Sequence, residues 1–327
     1  MILQPVSRLP HRPRHQRGSA LIMVIWLIFM LGMTITGMTR IVVKDMSLTI
    51  AQKQAFRARQ LAEMGINWAM NPAVKEFDTA ILNQIIEEGE SFGVKIRGEG
   101  GRININALLQ QGEQSRTFLT KLFNLWGLSN EDADTLFDRM VDWTDTNSES
   151  LLHGMENDQY VALYGETTPY PFNRPFYNLD EMLQIRDIEG VAPGFDSVVA
   201  NLPDWRDYFT IYSAGKVDLN EADAKVLAAV AVALEGTSDP ATDFPDKLED
   251  AEELVRDRWG PDGVEDTEDD IKFKSMEEAT PALESLGLDP ADPAVAALFG
   301  LNDQTVHIES TATVGEYRKR VVLIVRN

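Results

Sequence analysis

The apolar positions of this chain change their rhythm abruptly along its length. Ser19 to Thr39 is a run of 21 uncharged residues, most of them large and apolar. Wound as a helix at about 1.5 Å per residue it reaches roughly 31 Å, the thickness of a bilayer's hydrocarbon core. Past Arg40 the pattern thins. Ile50, Ala55, Ala58, Ala62, Ile66 and Ala69 recur three to five apart between polar faces carrying Lys53, Arg57, Arg59 and Glu63, which is a narrow helical stripe. Asn71-Pro72 closes it, because proline drives the preceding residue out of the helical region. The spacing predicts a membrane-spanning helix over 19–43 that continues as a spine to residue 70, a rod of 52 residues from Ser19 to Met70.

A period of two then replaces the helical one. Residues 73–90 read as a short helix, after which Phe92, Val94 and Ile96 alternate with Gly93, Lys95 and Arg97 as a strand, closed by a turn at 98–101. Near the other end Val306, Ile308, Ser310, Ala312 and Val314 share one face of an alternating run. Gly315-Glu316 turns the chain into Tyr317 to Arg326, whose VVLIV centre is continuous enough to predict a central strand. A spine packed on a small antiparallel sheet is an α+β arrangement, with the body drawn from 71–103 and 303–327.

Between these strands the chain repeats itself. GRININA at 101–107 returns as GKVDLNE at 215–221, 114 residues later, and EDADTL at 131–136 returns as EDAEEL at 249–254, 118 residues later. Similar phrases in the same order at nearly the same offset indicate two duplicated, mainly helical modules, 104–206 and 207–302. Leu179-Asp180-Glu181-Met182 beside Met276-Glu277-Glu278 is a fainter third correspondence. Asn106 and Asn220 fall where a following helix wants an N-cap.

Charge sets the compartment and narrows the partners. The first 18 residues carry Arg8, Arg12, Arg14 and Arg17 and no acid, so the positive-inside rule leaves the N-terminus in the cytoplasm and exports everything past Val43. The whole chain has net charge −22, and without those arginines the remainder stands at −26. Such a surface repels nucleic acid, which is bound by cations displacing counterions from phosphates, and it suits divalent cations or a partner with a basic patch. With no cysteine there is neither a disulfide nor a thiol site.

A basic leader, Gly18, and then an apolar helix opening Ser19-Ala20-Leu21-Ile22 resembles a type IV prepilin leader, cut between Gly18 and Ser19. That pattern normally places glutamate at the fifth mature position; here the residue is Met23. With this departure, GRININA, the stretch from DWTDTN to ENDQY, NRPFYNLDEM, VDLNEADAKVLAAV and the C-terminal hairpin, the chain resembles the K-type minor pseudopilin of type II secretion, the general secretion pathway protein K family. The resemblance implies a pilin-like body with a helical insertion of two sterile-alpha-motif-like modules, and a place at the pseudopilus tip that helps begin assembly. It implies as partners I-type and J-type minor pseudopilins, other pseudopilins, inner-membrane secretion components and the prepilin peptidase. It also implies a methylated Ser19 and a single-pass inner-membrane protein whose C-terminal domain is periplasmic. The competing reading is an anchored exported module that captures a secreted substrate or envelope partner.

Catalysis finds little to work with. His153 and His307 are the histidines of the exported part, and neither an H-E-x-x-H, a G-x-S-x-G nor a phosphate-binding glycine loop occurs. His307, on the outward face of its strand, is expected to be solvated, and the chain is read as a non-enzyme. Hard oxygen donors cluster in two places. Asp262, Glu265, Asp266, Glu268, Asp269 and Asp270 surround Gly263, and Asp142, Asp145, Asn147, Glu156 and Asp158, with Glu149, form the other group. Neither has the spacing of an EF-hand. Calcium binding is a property that the family resemblance implies for such loops.

Overall fold

The computed structural model describes residues 19–236, 239–301 and 303–326; the basic leader with its arginines and Gly18 lies outside the described residues. In order, the elements are α1 (Ser19–Ala69), α2 (Thr79–Leu82), β1 (Asn83–Glu87), β2 (Glu90–Gly98), β3 (Ile103–Asn104), α3 (Ile105–Leu109), α4 (Glu113–Leu125), α5 (Asn130–Thr144), α6 (Asn157–Tyr164) and α7 (Phe195–Asn201). There follow β4 (Phe209–Thr210), β5 (Val217–Asp218), α8 (Ala224–Glu235), α9 (Pro240–Arg258), α10 (Thr280–Ser285), α11 (Pro293–Leu298), β6 (Phe299–Gly300), β7 (Thr305–Val314) and β8 (Tyr317–Arg326). The α+β reading holds.

The expected rod is one unbroken helix of 51 residues, about 76 Å long. Its second half packs through Ala58, Leu61, Ala62, Ile66 and Ala69 on an antiparallel sheet of order β1-β2-β7-β8. Small residues on β7 make room for it: Phe92 pairs with Ala312 and Val94 with Ser310. Gly65 lies in that trough, where a Cβ would come within 2.8 Å of Val94 Cγ2 and 3.0 Å of Phe92 Cδ2. Leu61 and Gly65 thus complete the apolar stripe, while Ile50 stays exposed.

Two expectations about the body are corrected. Residues 73–90 hold only one helical turn, α2; Asn83–Glu87 is a strand that hairpins onto β2 through Gly89, whose φ of +81° suits glycine. Pairing with β2 satisfies a backbone that a lone short helix would leave half-capped. The VVLIV strand, β8, lies at the edge of the sheet and β7 in the interior. Only alternate residues, Val321 and Leu323, pack toward the α1 core, so an apolar run does not by itself require neighbours on both sides.

The repeated phrases occupy matching positions. β3 pairs in parallel with β4, and β5 with β6, each bridging the start of a module to the chain that leaves it. Asn106 and Asn220 are not N-caps. Asn104 caps α3 by accepting from the Ala107 N–H at 3.0 Å, and α8 begins only after Asp223. Instead each asparagine clamps a distant backbone. Asn106 donates to the Phe176 carbonyl and accepts from the Phe176 N–H, both at 2.9 Å. Asn220 does the same at Phe273, at 3.0 and 2.8 Å. The faint third phrase begins three residues after each clamped phenylalanine, at Leu179 and Met276. Apolar side chains of both modules, from Ile103 to Phe299, form one contiguous core with α4 lying against α8.

Body and modules meet at Glu99, which is buried. It accepts hydrogen bonds from Thr210 at 2.7 Å and Arg102 at 3.3 Å, and lies 3.0 Å from His307 Nδ1. Burial alone would raise this carboxyl, but the hydrogen bonds of His307 and Thr210 and the charge of Arg102 hold it below its ordinary value. His307 is therefore half-buried and paired rather than solvated, because the module folds over the strand face that carries it.

Candidate functional site

Among the described residues, the first half of α1 is the longest run of exposed large apolar side chains. Leu21, Met23, Trp26, Phe29 and Met33 are each more than 60% exposed. The helix is long and apolar enough to cross a membrane, and single-pass anchoring follows from its composition. Its threonine hydroxyls are satisfied internally: Thr34 donates to the Leu31 carbonyl, Thr36 to Gly32 and Thr39 to Ile35, at 2.8 to 2.9 Å. That removes the cost of taking a bare hydroxyl into lipid. Ser19 opens the helix, and Met23 stands on it where a carboxylate was missing from the pattern.

The acidic loop after α5 is a folded, crowded site. Asp142, fully buried in the last turn of α5, accepts from the Leu151 N–H at 3.1 Å and Ser150 Oγ at 3.3 Å, so the loop curls back over it. Gly154 lets the chain pass, since a Cβ there would strike the Asp142 carboxylate. Asp145 accepts from the Asn147 side chain at 2.6 Å, and Asn147 accepts from the Glu149 N–H at 2.6 Å. Glu156, at the start of α6, is 3% exposed; its carboxylate turns to the first-turn N–H groups of the helix in a capping box with Gln159, without a full hydrogen bond at either oxygen. Asp158 beside it is exposed and accepts from the Gln159 N–H.

Electrostatics mark this loop as short of positive charge. Burial, followed by the neighbouring charges of Asp145 and Asp138, pushes the Asp142 carboxyl up to about 6. Burial, then Asp142 and Asp145, pushes Glu156 up to about 7, and burial raises Asp145 as well. A hard divalent cation is the species that such acceptors would favour. Among the described residues, however, no three carboxylate or histidine side chains converge in ligating geometry. The buried Glu156 carboxylate, crowded by Asp142 and Asp145, fits a cation; among the described residues a finished ligand cage is not present.

The loop at 262–270 is built differently. Asp262 accepts from the Val264 N–H at 2.8 Å, Asp269 from Thr267 Oγ1 at 2.8 Å and Asp270 from the Asp266 N–H at 3.0 Å, so these carboxylates hold the loop's own turns. Glu265 reaches Arg97 at 3.3 Å, and Glu268 is exposed. Asp266, at φ +64°, is pushed up to about 6 by burial and then by Glu265 and Glu76. Lys272 joins Glu76 at 2.7 Å to Glu221 at 3.2 Å, fastening the second module to the body. His153 is exposed and donates its N–H to Asp138.

Sequence reasoning passed over Asp138 and Glu99. Asp138 is buried one helical turn before Asp142 and pairs with Arg116 at 2.5 Å; the i, i+4 spacing of two acids on one helix was the available signal. Glu99 sat inside a glycine-rich turn, with nothing to announce His307 or Thr210 as its partners.

A spine helix half-sunk in a small sheet, half bare and apolar, and carrying a helical insertion, defines a membrane-anchored pilin-like protein. Residues 101–192 match the family described as type II secretion system (T2SS), protein K, and the K-type resemblance read from the sequence is borne out. The fold is similar to that of GspK in the crystal structure of the GspK-GspI-GspJ complex from the enterotoxigenic Escherichia coli type 2 secretion system. The TM-score is 0.51 at 12% sequence identity, over 88% of this chain and 94% of that one. No curated protein is a significant match to the chain.

Proposed function

We propose that this chain is a minor pseudopilin at the tip of a type II secretion pseudopilus, where it helps to start assembly and so supports protein export across the outer membrane. It works with I-type and J-type minor pseudopilins, other pseudopilins and inner-membrane secretion components. Its role is structural, not catalytic. The observation that carries the reading is α1: its apolar first half is bare around the whole circumference and needs lipid or other such helices to cover it, yet Met23 offers no carboxylate. A subunit without that charge has nothing to neutralise the N-terminal amine of a subunit above it, and the helical insertion would obstruct further stacking. The neighbour solved with GspI and GspJ supports the choice of partners.

Before assembly the protein spans the inner membrane once, N-terminus in the cytoplasm and modules in the periplasm, and the prepilin peptidase cuts at Gly18-Ser19 with methylation of Ser19. Asp142, Asp145 and Glu156 would hold a calcium ion, which would supply the positive charge that these acceptors lack. Mass spectrometry of the membrane-extracted protein is expected to find Ser19 at the N-terminus, and immunogold labelling is expected at one end of each filament. An intact Met1, or label along the whole shaft, would overturn the reading.

A further inference from the structure

The two edges of the sheet are designed differently. β1 is five residues long, and its pairing with β2 breaks register between Ile85 and Glu87, which blunts that edge. β8 is ten residues long and pairs with β7 in unbroken register from Tyr317 to Arg326. It has no proline and no bulge, and its other side has no strand partner among the described residues. A long, regular, open edge is a template for another strand, because its outward N–H and C=O groups stand ready for a second ladder.

The side chains on this edge say what kind of strand. Arg318, Arg320, Val322, Ile324 and Arg326 alternate onto the face away from α1, and all but Ile324 are exposed. Arg318, Lys319 and Arg326 make no ion pair among the described residues, and Arg320 reaches only Glu309 on its own hairpin. In a chain of net charge −22 this is a concentration of cations where the backbone is also open. A second copy fits poorly: antiparallel self-pairing centred on Val322 would set Arg318 opposite Arg326, and like charges directly opposite are destabilising.

We propose that the free edge of β8 takes up an extended acidic segment of another protein as a fifth strand. Backbone hydrogen bonds to β8 hold it, carboxylates at alternate positions meet Arg318, Arg320 and Arg326, and a β-branched residue between them covers Val322. This surface is independent of the tip assignment, since it uses neither α1 nor the modules.

The test uses the full chain in detergent micelles and two labelled ten-residue peptides, one alternating threonine and valine with glutamate, the other with lysine in place of glutamate. The acidic peptide is expected to bind, to weaken with salt, and to slow amide exchange at Tyr317–Arg326 specifically. Arg318→Glu with Arg326→Glu is expected to weaken the acidic peptide at least tenfold and to admit the lysine peptide. Binding of the acidic peptide without protection of β8, or equal binding of both peptides, overturns the proposal. So does absence of binding to the wild-type chain, which would leave the cations as guards against aggregation. Protection of β8 that rises with protein concentration alone would assign the edge to a second copy and overturn it too.

Discussion

Asp142 and Glu156 carry charge against the preference of their surroundings, and that gives a signed prediction. Unfolded, both lose their protons near pH 4; folded, they hold them to about 6 and about 7. Between those limits the native state binds more protons than the unfolded chain, so their contribution to stability falls as pH rises through about 4 to 7. In chelator, the melting temperature of wild type relative to Asp142→Asn with Glu156→Gln is expected to drop across that window. Calcium is expected to reverse the trend, by binding the ionised pair in the folded state. A hundredfold excess over Kd adds about 2.7 kcal/mol. The double variant should lose that gain. If Asp262→Ala with Asp266→Ala loses it instead, the cation sits in the later loop, and an unchanged melting temperature in millimolar calcium removes it from both.

At the scale of elements, the clamps of Asn106 and Asn220 hold the two modules' straps to their opening strands. Removing either leaves a phenylalanine N–H and C=O without partners inside the fold. A fully buried group of this kind costs about 1–3 kcal/mol, and these clamps are part-buried, so Asn106→Ala and Asn220→Ala should each lower unfolding free energy by about 2–4 kcal/mol in denaturant titration. Asparagine to aspartate separates a clamp from a cap. An N-cap tolerates aspartate, whereas a carboxylate cannot donate to the Phe176 or Phe273 carbonyl, so the aspartate variants should be no more stable than the alanine ones. Wild-type stability in Asn220→Asp would contradict the clamp.

For the whole molecule, the contiguous core joining the modules sets their cooperativity. Leu119 and Leu122 on α4 and Ala228 to Ala231 on α8 are wholly buried in the same cluster, so neither module keeps its apolar face covered if the other opens. Hydrogen exchange of α5 and α9 is therefore expected to occur through one shared opening of equal free energy. Two separate openings, with α9 exchanging while α5 stays protected, would mean that the duplicated modules are independent folding units. The body, with its own smaller core around Leu61, Phe92 and Ile308, is linked to them through Glu99, Glu221 and Lys272.

What the chain encodes locally was readable without coordinates. The uncharged run after Ser19 and the stripe to Ala69 specify one helix, since length and period are properties of neighbouring residues. Alternation specified β2 and the β7–β8 hairpin, and the repeated phrases marked the two short parallel strand pairs and the two asparagines that clamp a distant phenylalanine. Only the tertiary structure decided which strand stands at the edge, because alternation reports how many faces are buried and not how many neighbours a strand has. It alone turned Asn106 and Asn220 from caps into clamps, since an amide beside a helix start can serve either purpose until a distant backbone arrives. The same holds for β1, which forms because β2 lies across Gly89, and for Glu99 with His307, residues 208 apart in sequence whose shared burial exists only once the module has closed over the sheet.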